Sequence, residues 1–415
     1  MGETMLNPIP GGVCAPRGIR ATSVHCGIRA SRSKNDLTLI MSDVRATAAA
    51  VYTTNLVKGA PNIVTKAHLA DGHAQAVICN SGNANTCNAD GIEIAEGMAA
   101  LVAQHCRVAA EDVIVGSTGV IGQPLSLEPI KRGMPGLVAG LAADGAAGQA
   151  GSALAVAGIM TTDTRPKEAA VEFTCGGVTV RLGGICKGSG MIAPNMATML
   201  GFLTTDAAIA PDMLQRALSA VIADTFNMVS VDGDTSTNDM VTIMANGLAN
   251  NACITAEGPD YDTFAAALLW VCQQLCRMIA GDGEGATKLL QCEVCGAKDV
   301  ANARIVAKAV INSSLLKAAM FGADANWGRV LCAIGYSGAD VDVTKVSVTF
   351  ASSAGDICVC QNGAGIPFSE EVAKTVLTEP EIRILIGLGD GEAAATAYGC
   401  DLTYEYVKIN GDYRT

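Results

Sequence analysis

Aromatic and charged side chains are both scarce in this chain of 415 residues. Phe, Trp and Tyr together make up 4% of the residues and the charged types 16%, whereas half of the residues are hydrophobic. A large core is therefore available, and Ala, Val, Leu and Ile must fill most of it. The chain is also too long for one average domain, so we expect two or three packed units.

Basic residues are outnumbered, at 28 Lys and Arg against 40 Asp and Glu, which leaves a formal net charge of −12. Binding to nucleic acid needs clustered Lys and Arg that neutralise phosphates, so this balance argues against that class of function. It also argues against docking on anionic membranes. A net negative charge instead helps to keep a cytoplasmic enzyme soluble, and we expect that location.

Signals for export or membrane insertion are missing as well. The opening residues, MGETMLNPIPGG, hold no basic segment followed by an apolar one, so we expect no signal peptide. Two apolar runs, at 265–272 and 137–160, are interrupted by Gln273 and Gln274 and by Asp144. Neither reaches the roughly 20 predominantly apolar residues that span a bilayer, and we predict no membrane-spanning segment.

Sixteen cysteines show no spacing of a disulfide framework, which predicts buried, reduced thiols. Cys272 with Cys276, and Cys292 with Cys295, resemble a four-thiolate zinc set. However, the first pair falls in a helical pattern and the second in a run that alternates like a strand. We therefore expect no metal.

Strand-like and helix-like patterns alternate along the chain, and hairpins among them indicate a mixed α/β fold rather than a purely parallel sheet. A soft domain boundary falls near 285–300, because a separate alternation of strands and helices follows it. The predicted strands are 74–79, 113–115 leading into a glycine-rich turn at 116–122, a hairpin over 169–182 turning at Gly176 and Gly177, 346–350, 357–359 and 401–409. The predicted helices are 92–106, 126–143 with a break or kink at Pro135, Pro211 to about 223, and 369–377.

The segment 187–200, KGSGMIAPNMATML, carries the most suggestive chemistry. Gly188 and Gly190 permit backbone conformations that are closed to other residues, and Pro194 fixes one φ angle shortly before Thr198. A hydroxyl that follows a small residue in such a constrained loop is what an intramolecular N→O acyl shift requires. The segment is therefore a candidate for self-cleavage.

Attack of the Thr198 hydroxyl on the carbonyl of Ala197, followed by hydrolysis of the ester, would cut the chain between these residues. The new N-terminal threonine would carry a free α-amine, whose unperturbed pKa of about 8 suits a general base for its own hydroxyl. This arrangement needs no histidine. By itself, however, an Ala-Thr pair in a glycine-rich loop fits an ordinary turn better, and both interpretations stay open on this segment alone.

Further motifs lie in order across nearly the whole chain. They are 80–85 (NSGNAN), 116–122 (GSTGVIG), 160–164 (MTTDT), 231–239 (VDGDTSTND), 281–288 (GDGEGATK), 322–329 (GADANWGR) and 413–415 (YRT). Together with 187–200 they resemble the ArgJ family, the ornithine acetyltransferases of arginine biosynthesis. Each motif alone would be weak evidence, but their number and order make a chance match very improbable.

The resemblance implies a DmpA/ArgJ-like, N-terminal-nucleophile type of layered α/β sandwich with a smaller C-terminal α/β domain. It implies self-cleavage into an α chain, 1–197, and a β chain, 198–415, and a heterotetramer of two of each. The implied reaction moves an acetyl group from N2-acetyl-L-ornithine to Thr198 and then to L-glutamate, by ping-pong kinetics. No cofactor is expected, although acetyl-CoA is a possible co-substrate.

The resemblance also implies roles for individual residues. Thr118, through its hydroxyl, and Gly119, through its backbone N–H, would form the oxyanion hole that the tetrahedral intermediates need. Lys187 suits a substrate carboxylate and Glu284 suits an ammonium group. The residues implied at the substrate are Thr161, Lys187, Thr198, Glu284, Asn410 and Thr415.

Two alternatives stay open at this point: an amidase or aminopeptidase of the same N-terminal-nucleophile fold, and an uncleaved binding protein. The sequence also leaves open whether acetyl-CoA serves as a second donor.

Two segments look like known ligand-binding motifs, but neither has the residues that the motif requires. Segment 281–288 lacks the glycine and the Lys-Ser/Thr order of a phosphate-binding loop, and the acidic residues of 231–239 do not follow the EF-hand pattern.

Overall fold

The computed structural model describes residues 5–31, 33–193 and 199–412. The strands of this described part are β1 (Asn7–Pro8), β2 (Ile19–Val24), β3 (Leu37–Tyr52), β4 (His73–Asn83), β5 (Val113–Val120), β6 (Lys167–Cys175), β7 (Val178–Lys187), β8 (Leu200–Thr205), β9 (Val229–Ser230), β10 (Met240–Ala245), β11 (Leu289–Ala297), β12 (Ser347–Ser352), β13 (Gly355–Gln361), β14 (Ala364–Gly365), β15 (Glu381–Gly387) and β16 (Ala393–Cys400). Its α-helices are α1 (Ala60–His68), α2 (Gly91–Cys106), α3 (Leu127–Ala142), α4 (Gly148–Ile159), α5 (Pro211–Asp224), α6 (Pro259–Gly281), α7 (Val300–Asn312), α8 (Ser314–Phe321), α9 (Trp327–Tyr336), α10 (Glu370–Thr378) and α11 (Tyr404–Asp412).

The first sheet is mixed and, within the described residues, has nine strands in the order β1-β6-β7-β8-β10-β3-β4-β5, with β2 paired to β3. The pairs β8–β10 and β4–β5 are parallel, and the others are antiparallel. Helix α4 packs on one face, where small and branched side chains of β3, β4, β7 and β8 form a core. Helices α5 and α6 pack on the opposite face, and α1 to α3 cover strands β2 to β5.

The second sheet is also mixed, with the order β14-β13-β12-β15-β11-β16-β9. Helices α7 to α10 form its own hydrophobic core on one face, and α6 contacts β11 and β16 from the other. The two sheets are thus layered around α6, as the predicted mixed α/β sandwich requires. The domain boundary near 285–300 stays a prediction, since the second sheet begins at Leu289 but also takes β9 from residues 229–230.

Helix α6 is, among the described residues, the one helix long and apolar enough to cross a membrane by length and composition. Half of its most apolar 18-residue window is buried inside the protein. The helix contacts β6, β7, α5 and β16, so it is a central element of the core. The helix continues through Gln273 and Gln274, which end the apolar run 265–272, and extends to Gly281.

Most predicted elements are confirmed, since apolar periodicity follows burial closely. The strand at 74–79 lies within β4, the helix at 92–106 is α2, and the helix from Pro211 is α5, with Pro211 in its first turn. The hairpin β6–β7 turns at Gly176 and Gly177, both with positive φ. Helix α3 runs through Pro135 without the predicted break.

Two further secondary-structure predictions were wrong. Residues 116–120 are not a turn, because β5 continues beside β4 to Val120. Gly116 packs tightly there, since an added Cβ would lie 3.1 Å from the ring of Phe202 and 3.2 Å from the sulfur of Cys79. The predicted last strand, 401–409, is helix α11. Strand β16 already lies between β11 and β9, and the described residues of α11, none of which is buried, pair with no strand.

Candidate active site

A cavity of about 110 Å³ lies where several segments of the first sheet meet loops from the rest of the chain. The end of β5, the end of β7, the start of β8 and the residues before β10 all contribute to its wall. Its described lining residues are Ala84, Thr118, Gly119, Ile121, Thr161, Thr162, Lys187, Gly190, Met191, Ile192, Met199, Leu200, Ser236, Thr237, Asn238, Asp239, Glu284 and Asn410.

Thr118 and Gly119 lie near the end of β5, beside Ser81 and Gly82 of β4. Gly119 has φ +134°, a conformation that side chains disfavour, and a Cβ there would lie 2.6 Å from the amide nitrogen of Asn83. Only glycine therefore allows β4 and β5 to approach this closely. No described residue hydrogen-bonds the hydroxyl of Thr118, so this group is available to a molecule in the cavity.

The end of β5 is held in place by the side-chain amide of Asn238. Its nitrogen donates to the carbonyls of Ala84, at 2.6 Å, and Ser117, at 3.0 Å. Its oxygen accepts hydrogen bonds from the hydroxyls of Thr86 and Thr237, both at 2.6 Å. A buried amide with all of these partners fixes the backbone directly before Thr118.

Lys187 is the last residue of β7, pairs with Leu200 of β8 and is largely buried. Its ammonium group attracts the carboxylate of Asp163 electrostatically. That carboxylate also accepts hydrogen bonds from the backbone N–H groups of Thr161, at 2.9 Å, and Gly188, at 2.7 Å. Burial alone would raise the pKa of Asp163, but Lys187 and Lys167 together hold it below its usual value. The cavity therefore keeps a cation at one wall, next to a charged carboxylate.

Glu284 follows the end of α6 and contributes a carboxylate, a group opposite in charge to Lys187, to the cavity. Its backbone N–H donates to the carbonyl of Ser189, at 2.9 Å, and its carboxylate accepts from the side-chain amide of Asn410, at 2.8 Å. Gly190 makes room for this carboxylate, because a Cβ there would lie 2.5 Å from Oε1 of Glu284. A carboxylate in this place suits an ammonium group of a ligand.

Asp239 is the acidic residue that sequence reasoning left without a role. It precedes β10, is 1% exposed, and its Oδ2 has no hydrogen-bond partner among the described residues. Its carbonyl is fixed by the backbone N–H of Thr53 and the side chain of Asn62. Burial raises the pKa of this carboxyl well above its usual value, because the charged form is the one that loses most by leaving water.

The proposed cleavage position, between Ala197 and Thr198, lies outside the described residues, as does Thr415. The described residues on each side of 194–198 are held by one segment, 231–240. Asp232 accepts the backbone N–H groups of Met191, at 2.6 Å, and Ile192, at 2.8 Å, and the hydroxyl of Thr235 donates to Ala193. On the other side, the N–H of Met240 donates to the carbonyl of Met199 at 2.9 Å.

The structure thus brings six of the residues implied by resemblance to one cavity, although they are far apart in the chain. They are Thr118, Gly119, Thr161, Lys187, Glu284 and Asn410. Sequence reasoning did not assign roles to Asn238, Asp239, Asp163 or Asp282. The signal was present, because all four lie in motifs that pointed to the family.

The fold and the cavity define a class of protein: a mixed α/β enzyme whose site combines hydroxyl, amide, cationic and carboxylate groups. The model of the ArgJ family matches residues 20–415, and the chain belongs to this family. The arginine biosynthesis bifunctional protein ArgJ of Caldanaerobacter subterraneus subsp. tengcongensis is 48% identical over 408 residues, covering 98% of this chain and 99% of the relative. The protein of the same name from Bacillus subtilis is 45% identical over 417 residues and covers all of this chain.

A solved structure is also similar. The crystal structure of the arginine biosynthesis bifunctional protein ArgJ from Bacillus halodurans matches with 49% identity and a TM-score of 0.50. The match covers 100% of that solved chain but 52% of this one. The solved chain is therefore about half as long as the chain described here.

Proposed function

We propose that this enzyme transfers an acetyl group from N2-acetyl-L-ornithine to L-glutamate, giving L-ornithine and N-acetyl-L-glutamate. The observation that carries the proposal is the cavity, which joins hydroxyl and N–H donors at Thr118 and Gly119 to a cation, Lys187, and a carboxylate, Glu284. Both substrates are amino acids with an α-carboxylate, and ornithine adds a side-chain ammonium group. The names of the relatives in arginine biosynthesis support the same reaction.

The nucleophile of the proposal is Thr198, freed as an N-terminus by cleavage after Ala197. Its α-amine takes the hydroxyl proton as Oγ bonds to the acetyl carbon, and the hydroxyl of Thr118 and the N–H of Gly119 stabilise the oxyanion. The amide C–N bond then breaks, and the proton passes to the departing nitrogen of ornithine. Glutamate repeats these steps in reverse order, its amine attacking the acetyl-Thr198 ester.

The length of the solved relative supports cleavage. A chain that begins at Thr198 would contain 218 of the 415 residues, close to the 52% of this chain that the Bacillus halodurans structure matches. A denaturing gel of the purified protein tests this directly. We expect two bands, each of roughly half the mass of the 42.2-kDa chain. One full-length band that persists on incubation would contradict the mechanism.

Thr198→Ala tests the nucleophile. We expect an uncut chain without acetyl transfer, because both steps need the hydroxyl. Thr198→Ser is the matched control, since it keeps a hydroxyl and should retain cleavage. Mass spectrometry of the wild type with N2-acetylornithine alone should find one acetyl group on the fragment that begins at Thr198. Cleavage in Thr198→Ala, or an acetyl group on another residue, would refute the assignment.

The proposal includes acetyl-CoA as a second acetyl donor, and the name "bifunctional protein" that the relatives carry supports this. Assays of glutamate acetylation with acetyl-CoA and with N2-acetylornithine, run side by side, decide the question. A cytoplasmic location, a heterotetramer of two α and two β chains, and catalysis without metal or cofactor complete the proposal. The amidase alternative has less support, because the relatives carry the name of a biosynthetic protein.

A further inference from the structure

A cluster of three buried charges lies directly behind the cavity. The ammonium group of Lys167 bonds to Oδ1 of Asp163 at 2.7 Å and to Oδ2 of Asp282 at 2.5 Å. The three residues are 1%, 3% and 6% exposed. Withdrawing three charges from water costs free energy that their attraction only partly offsets, so such a cluster is weak evidence for stability alone. A role in shaping the neighbouring cavity explains it better.

The cluster ties three distant chain segments to one another. Asp163 accepts the backbone N–H groups of Thr161 and Gly188, which belong to different segments. Asp282 accepts the backbone N–H of Thr164 at 3.0 Å and also its hydroxyl. The carbonyl of Asp282 in turn accepts the hydroxyl of Ser189 at 2.6 Å. Segments 161–167, 187–189 and 282–284 are therefore held by one hydrogen-bonded unit.

Each tied segment carries a proposed substrate-binding side chain that lines the cavity. Thr161 lies two residues before Asp163, Lys187 lies next to Gly188, and Glu284 lies two residues after Asp282. These short separations leave little freedom between the buried cluster and the wall of the cavity. The two carboxylates and one ammonium group leave a net charge of −1, which the ammonium of Lys187 balances.

We propose that Asp163, Lys167 and Asp282 are positioning residues that fix the distance between the cation Lys187 and the carboxylate Glu284. They thereby favour a substrate whose carboxylate and ammonium group are separated by that distance, as in N2-acetylornithine, and they hold Lys187 in place for the carboxylate of either substrate. This inference rests on the proposed function, because it assumes that Lys187 and Glu284 contact the substrate. It gives a role to the motifs 160–164 and 281–288, of which the catalytic scheme uses only Thr161 and Glu284.

The test compares Asp163→Asn and Lys167→Met with a matched control. Asn keeps the shape of Asp163 but has one oxygen instead of two, so it cannot accept both N–H groups equally. Lys288→Met is the control, since Lys288 is a buried lysine that donates to the carbonyls of Met320 and Leu377, in the second core. Thermal unfolding and the fragment pattern are recorded for all three variants.

The deciding measurements are the KM for N2-acetylornithine and for glutamate, and the Kd of ornithine by calorimetry. We expect Asp163→Asn and Lys167→Met to raise each constant about 10- to 100-fold while self-cleavage persists, because displaced binding groups lose this much. Lys288→Met should lose stability but leave each constant within about twofold. Unchanged constants in folded Asp163→Asn, or an equal rise in Lys288→Met, would overturn the proposal.

Asp163→Asn decides the question if Lys167→Met does not fold, since it preserves the shape of the buried side chain. The ornithine Kd keeps this inference separate from the proposed reaction. A wild type that binds ornithine but transfers no acetyl group would contradict the proposed function, and the Kd values of the variants would still decide the positioning role. A wild type that does neither would overturn both.

Discussion

Gly119→Ala is the sharpest perturbation of the proposed oxyanion hole. The backbone at Gly119 has φ +134°, where residues with a side chain are strained, and the new Cβ would lie 2.6 Å from the amide nitrogen of Asn83. It would be equally crowded against the backbone of Gly82, on the neighbouring strand β4. Backbone atoms in a paired strand cannot rotate away as a side chain does. The end of β5 must therefore shift, and the N–H of Gly119 shifts with it.

The expected loss has two parts. Forcing a non-glycine residue into this conformation costs about 1–3 kcal/mol of folding free energy, to which the crowding adds. Misplacing one oxyanion donor costs about 2.7–4 kcal/mol of transition-state stabilisation, or 10²- to 10³-fold in kcat. The variant should therefore fold less stably and turn over much more slowly. Its KM should change less, because Lys187 and Glu284 lie on other segments.

Gly122→Ala is the matched control from the same motif. Gly122 also has positive φ, +76°, but no atom of the described residues lies within 4 Å of an added Cβ. It should lose about 1 kcal/mol of stability and retain turnover. Acetyl transfer by initial rates, with circular dichroism and urea unfolding as the checks of folding, separates the two effects. Folded Gly119→Ala with turnover within tenfold of wild type would refute the assignment of its N–H to the oxyanion hole.

Three further predictions follow from the same cavity. Thr118→Ala should lose about 2–4 kcal/mol of transition-state stabilisation in kcat/KM; equal turnover would remove its hydroxyl from the mechanism. Gly190→Ala should raise KM about tenfold with little loss of stability, because its Cβ displaces the flexible carboxylate of Glu284; calorimetry with ornithine checks this. Asp239→Asn should stabilise the protein, since burial raises the pKa of Asp239 in the folded state above the unfolded value of about 3.9. The folded state thus holds the proton more tightly, so wild type loses stability as the pH rises above about 4 and the variant does not. Urea unfolding at pH 4 and pH 7 should show a larger difference at pH 7, and equal differences would contradict this explanation.

The sequence predicts elements well where apolar spacing and burial agree. Helix α2, which buries one face, and strand β4, in which residues 76–81 are all buried, are examples. Prediction failed where contacts with residues distant in the sequence determine the secondary structure. The residues of α11 alternate like a strand, but in the described structure they pair with no strand. The glycine at 116 suggested a turn, although it lies within a strand, close to the ring of Phe202.

The candidate site shows a similar division. Resemblance implied Thr118, Lys187 and Glu284 residue by residue, and the fold brings them to one cavity. The contact between Lys167 and Asp282 spans 115 residues of the chain, and no local pattern encodes it. Such a long-range pair forms because α6 packs against β6 and β7 and ends beside them. The packing of the core sets this position, and the spacing of residues along the sequence does not reveal it.

The order of strands explains how a chain cut at residue 198 would keep its site. Strands β8 and β10, which follow the proposed cut, lie between β7 and β3, which precede it. Six residue pairs join β7 to β8, and six more join β10 to β3. Cleavage would remove one peptide bond and none of these pairs, and the core around α5 and α6 contains side chains from both fragments. The fragments should therefore separate only when the sheet itself unfolds. The fold thus keeps Thr118, Gly119 and Lys187 in position whether or not the proposed bond is cut.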